Sequence, residues 1–222
     1  MLFITLIVAS FVFLHQSTAQ TDCSLEEKDL IFIIDDSGSI SASDFLLVKE
    51  FVLNVTETFT ISNVTVNVAV ITFATFATVE FYLDDYSDDK AALTAAVMAI
   101  VQSNGATFTD EALALARTDV LDPARGDRAT ADNVVILITD DISNDPERTR
   151  NESDMLRQFA EIFAVAIAVD DESEINYVGD DPDGEYVFSL SSYSELPGIV
   201  DDVGLVTCKS LNGFNHGVLD LP

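Results

Sequence analysis

Basic side chains are scarce in this chain. Ten Lys and Arg stand against 39 Asp and Glu, a formal net charge of −29 over 222 residues. A nucleic-acid-binding surface needs a basic footprint to displace counterions, so that partner class is excluded. Docking on anionic lipid is disfavoured for the same reason. Cations and basic protein surfaces are the natural counterparts. Histidine is almost absent too: His15 and His216 lie near the two ends, so a Ser-His-Asp arrangement inside the domain has no imidazole. No Gly-x-Gly-x-x-Gly follows a strand and no Walker lysine loop occurs. Zinc chemistry lacks His and Cys ligands. An aspartyl-phosphate nucleophile motif would need a second Asp where Ser37 stands. Nothing is left with which to assemble an enzyme.

The first twenty residues contain no Asp, Glu, Lys or Arg. Leu2–Leu14 is an apolar run too short to span a bilayer, and small residues follow at Ser17-Thr18-Ala19. This predicts a secretory signal at 1–19, with an uncleaved anchor as the alternative. Later runs are too short to span, so the mature protein is expected to be soluble, secreted and extracellular. Cys23 and Cys208 are the two cysteines, and in an oxidising compartment an even pair reads as one disulfide, with two free thiols as the alternative. Closing a loop of about 185 residues contributes up to about 5 kcal/mol in the chain-entropy account. Sequons at Asn54, Asn63 and Asn151 are candidate glycosylation sites.

Apolar runs alternate with amphipathic ones. Strands are predicted at Leu30–Ile34, Val64–Phe73, Thr75–Leu83, Asn133–Thr139, Ile162–Val169 and Glu185–Leu190. Helices are predicted from Ser43, as N-cap, to Phe59, and over Lys90–Gln102, Asp110–Thr118, Glu147–Glu161 and Tyr193–Val203. The close spacing of the second and third strands predicts an antiparallel hairpin. The whole implies an α/β fold: a doubly wound, mostly parallel, Rossmann-like central sheet with one antiparallel edge strand and helices on both faces. Residues 20–208 form one domain and 209–222 a loose tail.

In such sheets ligands bind at the carboxyl ends of strands where strand order reverses. Asp35–Ser39 ends the first strand, Thr139-Asp140-Asp141 ends NVVILIT, and SNGATFTD is a glycine-containing loop between them. Their side chains Asp35, Ser37, Ser39, Thr107 and Asp140 offer hydroxyl and carboxylate oxygens without a neighbouring Lys or Arg. That donor set is a poor phosphate cradle and a good hard-cation site, suited to Mg²⁺ or Mn²⁺. Acidic clusters at Asp84-Asp85, Asp88-Asp89, Asp170-Asp171-Glu172, Asp180-Asp181 with Asp183, and Asp201-Asp202 offer a second route to Ca²⁺.

DLIFIIDDSGSIS, NGATFTDEAL, NVVILITDDISND and EYVFSLSSYSELPGIV occur in that order. Together they resemble the von Willebrand factor type A domains, the family of matrilins, collagen VI and integrin inserted domains. The resemblance covers Asp29 to Cys208. It implies a metal-ion-dependent adhesion site built from Asp35, Ser37, Ser39, Thr107 and Asp140. One coordination position would stay open for a carboxylate of an extracellular protein ligand or a collagen-like matrix partner. A shift of the final helix would switch affinity, as the likeness to integrin domains implies. Asp36 and Asp141 depart from the family pattern, Asp141 standing where Gly is usual. The alternative function is an acidic matrix protein binding Ca²⁺ or calcium mineral through surface carboxylates, with the ligand site weakened or lost.

Overall fold

The computed structural model describes residues 27–179 and 186–209. Six strands form one sheet in the order β3-β2-β1-β4-β5-β6. They are β1 (Lys28–Asp35), β2 (Val66–Phe73), β3 (Ala77–Phe81), β4 (Asp132–Thr139), β5 (Glu161–Ile167) and β6 (Val187–Leu190). All neighbours pair in parallel except β2 and β3, the antiparallel hairpin at the edge. The fold class is as the sequence implies.

Every residue of β1, β2 and β5 is buried, which is why these strands are mostly apolar on both faces. The pleat then divides the side chains between two cores. Leu30, Phe32 and Ile34 join one face with α1 (Ala42–Glu57), α2 (Lys90–Ala99) and the last helix. Ile31 and Ile33 join the other with α3 (Thr109–Leu115), α4 (Pro146–Leu156) and α5 (Ser173–Val178). Edge strand β3 alternates exposed and half-buried residues, as one open face requires.

Several helix ends differ from expectation. The N-cap of α1 is Ser41, whose Oγ accepts from Asp44 N at 3.2 Å; Ser43 instead meets the Ser41 hydroxyl. At the end of α2, Ile100 takes φ −56°, ψ 129° and turns the chain, freeing Gln102 for other work. Beyond α3, Ala116–Val120 widens into a π turn, where Arg117 pairs with Glu152 at 2.8 Å. Helix α4 stops at Leu156, and Glu161 belongs to β5: the stretch predicted as one helix is divided between two elements. The short helix α5 is not among the predicted elements; buried Ile175 and Val178 anchor it. The final helix is broken. Tyr193–Gly198 forms a 3₁₀ turn containing Pro197, and α6 (Val200–Lys209) follows, because proline's ring and missing N–H stop an α-helix passing through it. The signal segment 1–19 and Cys23 lie outside the described residues, as do 210–222 of the tail. Cys208, in α6, is buried and disulfide-bonded.

At the amino edge of the sheet, Asp29 is wholly buried and clamped by Arg128. The Arg128 backbone N donates to Asp29 Oδ2 at 2.7 Å and its Nε to Oδ1 at 2.9 Å. The same guanidinium reaches the carbonyls of Asn63, Lys28 and Thr65. Removing one partner of a buried pair strands the other, so Arg128→Ala should cost about 3 kcal/mol at pH 7. Burial already raises the Asp29 pKa against the pull of Arg128, so protonation should make the loss smaller at pH 5. Urea unfolding at both pH values checks this; a loss below about 1 kcal/mol at pH 7 would contradict it.

Candidate metal-ion site at the carboxyl edge of the sheet

The strand order reverses between β1 and β4, and both end at the same edge. Asp35 closes β1, buried to 1% exposure. Its Oδ1 accepts the Ser37 N–H at 2.8 Å and its Oδ2 accepts the Thr139 hydroxyl at 2.7 Å. One carboxylate therefore shapes the turn after β1 and ties it to the end of β4. Above it, the Ser37 and Ser39 hydroxyls lie 2.9 Å apart, and Ser39 Oγ donates to Asp140 Oδ1 at 2.8 Å. Along this row Ser37 is buried, Ser39 exposed and Asp140 half-buried.

The loop carrying Thr107 is laced to both others. Gly38 N donates to Gly105 O at 3.1 Å, and Gln102 Nε2 donates to the carbonyls of Ser37 and Ile40 at 2.9 and 2.8 Å. Gly105 has φ +125°, and a Cβ there would sit 2.4 Å from Thr75 Oγ1, so no other residue fits without displacing the β2–β3 turn. On the other side, Thr107 N donates to Asn144 Oδ1 and Asn144 N to Thr107 O, both at 2.7 Å. Thr107 is itself buried.

The five expected residues thus lie on three mutually bonded loops, and Asp35, Ser37, Ser39 and Asp140 share one hydrogen-bonded set. Among the bonds and ion pairs of the described residues, none joins these five side chains to Lys or Arg. Two carboxylates and three neutral hydroxyls remain, a donor set that fits a hard divalent cation. Keeping hydroxyls in the majority limits the negative charge placed on an ion and leaves it able to attract another anion.

The two departures from the family pattern both accept backbone N–H bonds. Asp36 is buried, and its Oδ2 accepts from Ser103 N at 2.7 Å, pinning the Thr107 loop, while its Oδ1 has no hydrogen-bond partner. Asp141 is exposed and its Oδ1 accepts the next N–H, of Ile142, at 2.8 Å. It is not among the residues with positive φ, so glycine is not required there.

Gln102, Asn144, Thr75 and Thr139 hold the site together. Only Thr139 carried a signal in the sequence, by preceding Asp140. The acidic runs have a humbler use: Asp89 caps α2 through Ala92 N, Asp85 accepts from Tyr82 N, and Asp171 from Ser173 N. Among the described residues no three His, Cys, Asp or Glu gather to hold an ion. Asp180, Asp181 and Asp183 lie outside the described residues.

Comparison with known proteins agrees with the geometry. The von Willebrand factor type A domain model matches residues 29–202. The chain belongs to that family. It is 30% identical over 86% of its length to 21% of the collagen α-1(XII) chain of Notophthalmus viridescens. It is 32% identical over 82% of its length to 40% of matrilin-3 of Gallus gallus. A structure of proximal thread matrix protein 1 from the mussel byssus, with a zinc-occupied MIDAS motif, aligns at TM-score 0.76 and 32% identity, covering 85% of this chain and 47% of that one. The chain thus spans less than half of each of these relatives.

Burial lifts the Asp35 carboxyl to about 6 from its ordinary 3.8; Asp140 adds to the rise, while bonds from Ser37 and Thr139 oppose it. Burial also raises Asp29, Asp110 and Glu174. A carboxyl with a raised folded pKa destabilises the fold above that pKa, and relief comes as pH falls toward the unfolded value. Metal-free protein in EDTA should therefore gain stability from pH 7 to 5, with roughly 1 kcal/mol from Asp35 alone. Urea midpoints at the two pH values test it. A fall in stability across that interval would contradict these buried carboxylates.

Proposed function

We propose that this domain is a secreted adhesion or matrix module that binds an extracellular protein through a divalent cation, Mg²⁺ by preference, held by Asp35, Ser37, Ser39, Thr107 and Asp140. The observation that carries this reading is the row Ser37–Ser39–Asp140 over buried Asp35 at the strand-order reversal. A bound cation would supply a concentrated positive charge with a position left for a partner's carboxylate. The chain's own part is to hold the oxygens ready. Asp35 fixes the Ser37 turn, Thr139 fixes Asp35, and Ser39 orients Asp140 toward the surface.

Similarity to collagen and matrix chains supports a matrix or collagen-like partner, and the zinc-occupied relative supports a cation at this place. A binding role rather than catalysis follows from the absence of any imidazole within the family match. The proposal includes a signal at 1–19, a Cys23–Cys208 bond and glycans at Asn54, Asn63 and Asn151. All three asparagines are exposed. No helix among the described residues is long and apolar enough to cross a membrane.

Immobilised domain should retain proteins from an extracellular matrix extract in Mg²⁺ and release them in EDTA. Asp140→Ala should reduce retention at least about tenfold. Asp84→Ala, in an exposed acidic run, should leave it unchanged. Equal retention by wild type and Asp140→Ala would instead favour a diffuse polyanionic surface.

A further inference from the structure

The loop after β4, residues 140–145, carries Asp140 and also Asn144, which holds the Thr107 loop. Its N–H groups from 141 to 145 all have acceptors. Three of these bonds stay local: Asp141 N meets Thr139 Oγ1 at 3.3 Å, Ile142 N meets Asp141 Oδ1 at 2.8 Å, and Asp145 N meets Ser143 Oγ at 3.2 Å. Local bonds shape a loop without fixing where it sits against the rest of the fold. Two tethers do that. Asn144 N donates to Thr107 O at 2.7 Å, joining one site loop to another. Ser143 N donates to Glu174 Oε1 at 2.8 Å, reaching helix α5 across 31 residues of sequence. Both ends of that second bond are buried, Ser143 and Glu174 each being 4% exposed. The other oxygen of Glu174, Oε2, is shielded and has no hydrogen-bond partner. Burying a carboxylate for a single hydrogen bond is unfavourable, and Ile175 and Val178 already supply the apolar packing of α5. What Glu174 adds is the tether.

We propose that Glu174 is a positioning residue for the cation site: its buried carboxylate fixes the loop after β4 through the Ser143 N–H, and so sets the place of Asp140 and Asn144. A charged acceptor makes this bond stronger than a neutral one would. Without it, the far half of the loop would depend on the Thr107 loop alone. Any motion of that half would pass to Thr107 through Asn144, which exchanges two bonds with it, and to Asp140 along the chain. Two of the five oxygen donors would then lose their fixed place relative to Ser37 and Ser39. The inference rests on the cation reading above.

The test measures Mn²⁺ affinity by calorimetry, and the urea midpoint without metal, for wild type, Glu174→Asp, Glu174→Gln, Glu172→Ala and Asp140→Ala. Glu172 precedes α5 and accepts the Ser189 hydroxyl at 2.8 Å, a carboxylate bond that leads to β6 and serves as control. Aspartate keeps the charge but falls one methylene short of Ser143; glutamine keeps the reach and the acceptor oxygen. Glu174→Asp should therefore weaken Mn²⁺ binding about tenfold, while Glu174→Gln and Glu172→Ala bind as wild type does. A merely structural Glu174 would lower the urea midpoint of Glu174→Asp and leave its Mn²⁺ affinity unchanged. That result, with binding abolished in Asp140→Ala, would overturn the role of Glu174 alone. So would the reverse order, Glu174→Asp binding normally and Glu174→Gln weakly, because charge and not the bond would then matter. Independently of any variant, the Ser143 amide of the metal-free wild type should exchange slowly with solvent; exchange at the rate of an exposed loop amide would overturn the tether. Absence of saturable Mn²⁺ binding by wild type would overturn the cation reading and this inference together.

Discussion

A carboxylate buried at the end of a central strand must be answered, and the answer organises the working edge of this protein. Asp35 accepts one bond from its own turn and one from the hydroxyl that ends β4. Those two bonds join the strands between which the sheet reverses order. Two donors leave the charge only partly compensated, so burial still raises its pKa to about 6. In the proposed cation site a hard ion would compensate that charge.

The rest of the edge follows from holding that point rigid. Loops are soft unless their backbone groups are paired, and here several pairings run from one loop to another. Gln102 reaches two carbonyls of the Asp35 loop, Asp36 reaches back to Ser103, and Asn144 exchanges two bonds with Thr107. Glycine at 105 lets the loop lie close to Thr75, where a side chain would collide. At the opposite edge a single side chain does comparable work: Arg128 satisfies Asp29 and three carbonyls at once.

Much of this was legible in the chain. The unbroken apolar run Leu30–Ile34, followed at once by oxygen-bearing residues, marks a doubly covered strand that ends at a site. The hairpin, the parallel strands and the five candidate ligands were readable from period, spacing and donor chemistry. Element ends were not. Ser41 and Ser43 are equally good caps by residue type, and only backbone angles choose between them. The stretch from Glu147 to Glu161 was predicted as one helix, and the turn that separates α4 from β5 carries no Gly or Pro to mark it. Asp36 and Asp141 looked like extra charges beside an ion; their hydrogen bonds turn them into loop fasteners.

What the sequence alone determined is what depends on residue chemistry and local period: an acidic α/β chain without an imidazole in its domain, with oxygen donors at strand ends. What only the tertiary structure decided is which distant groups meet. Gln102 and Asn144 have no signature because their roles depend on where a folded neighbour places a carbonyl or an amide. Hydrogen bonds act over about 3 Å, and contacts between residues a hundred positions apart are fixed only when the sheet sets its strand order.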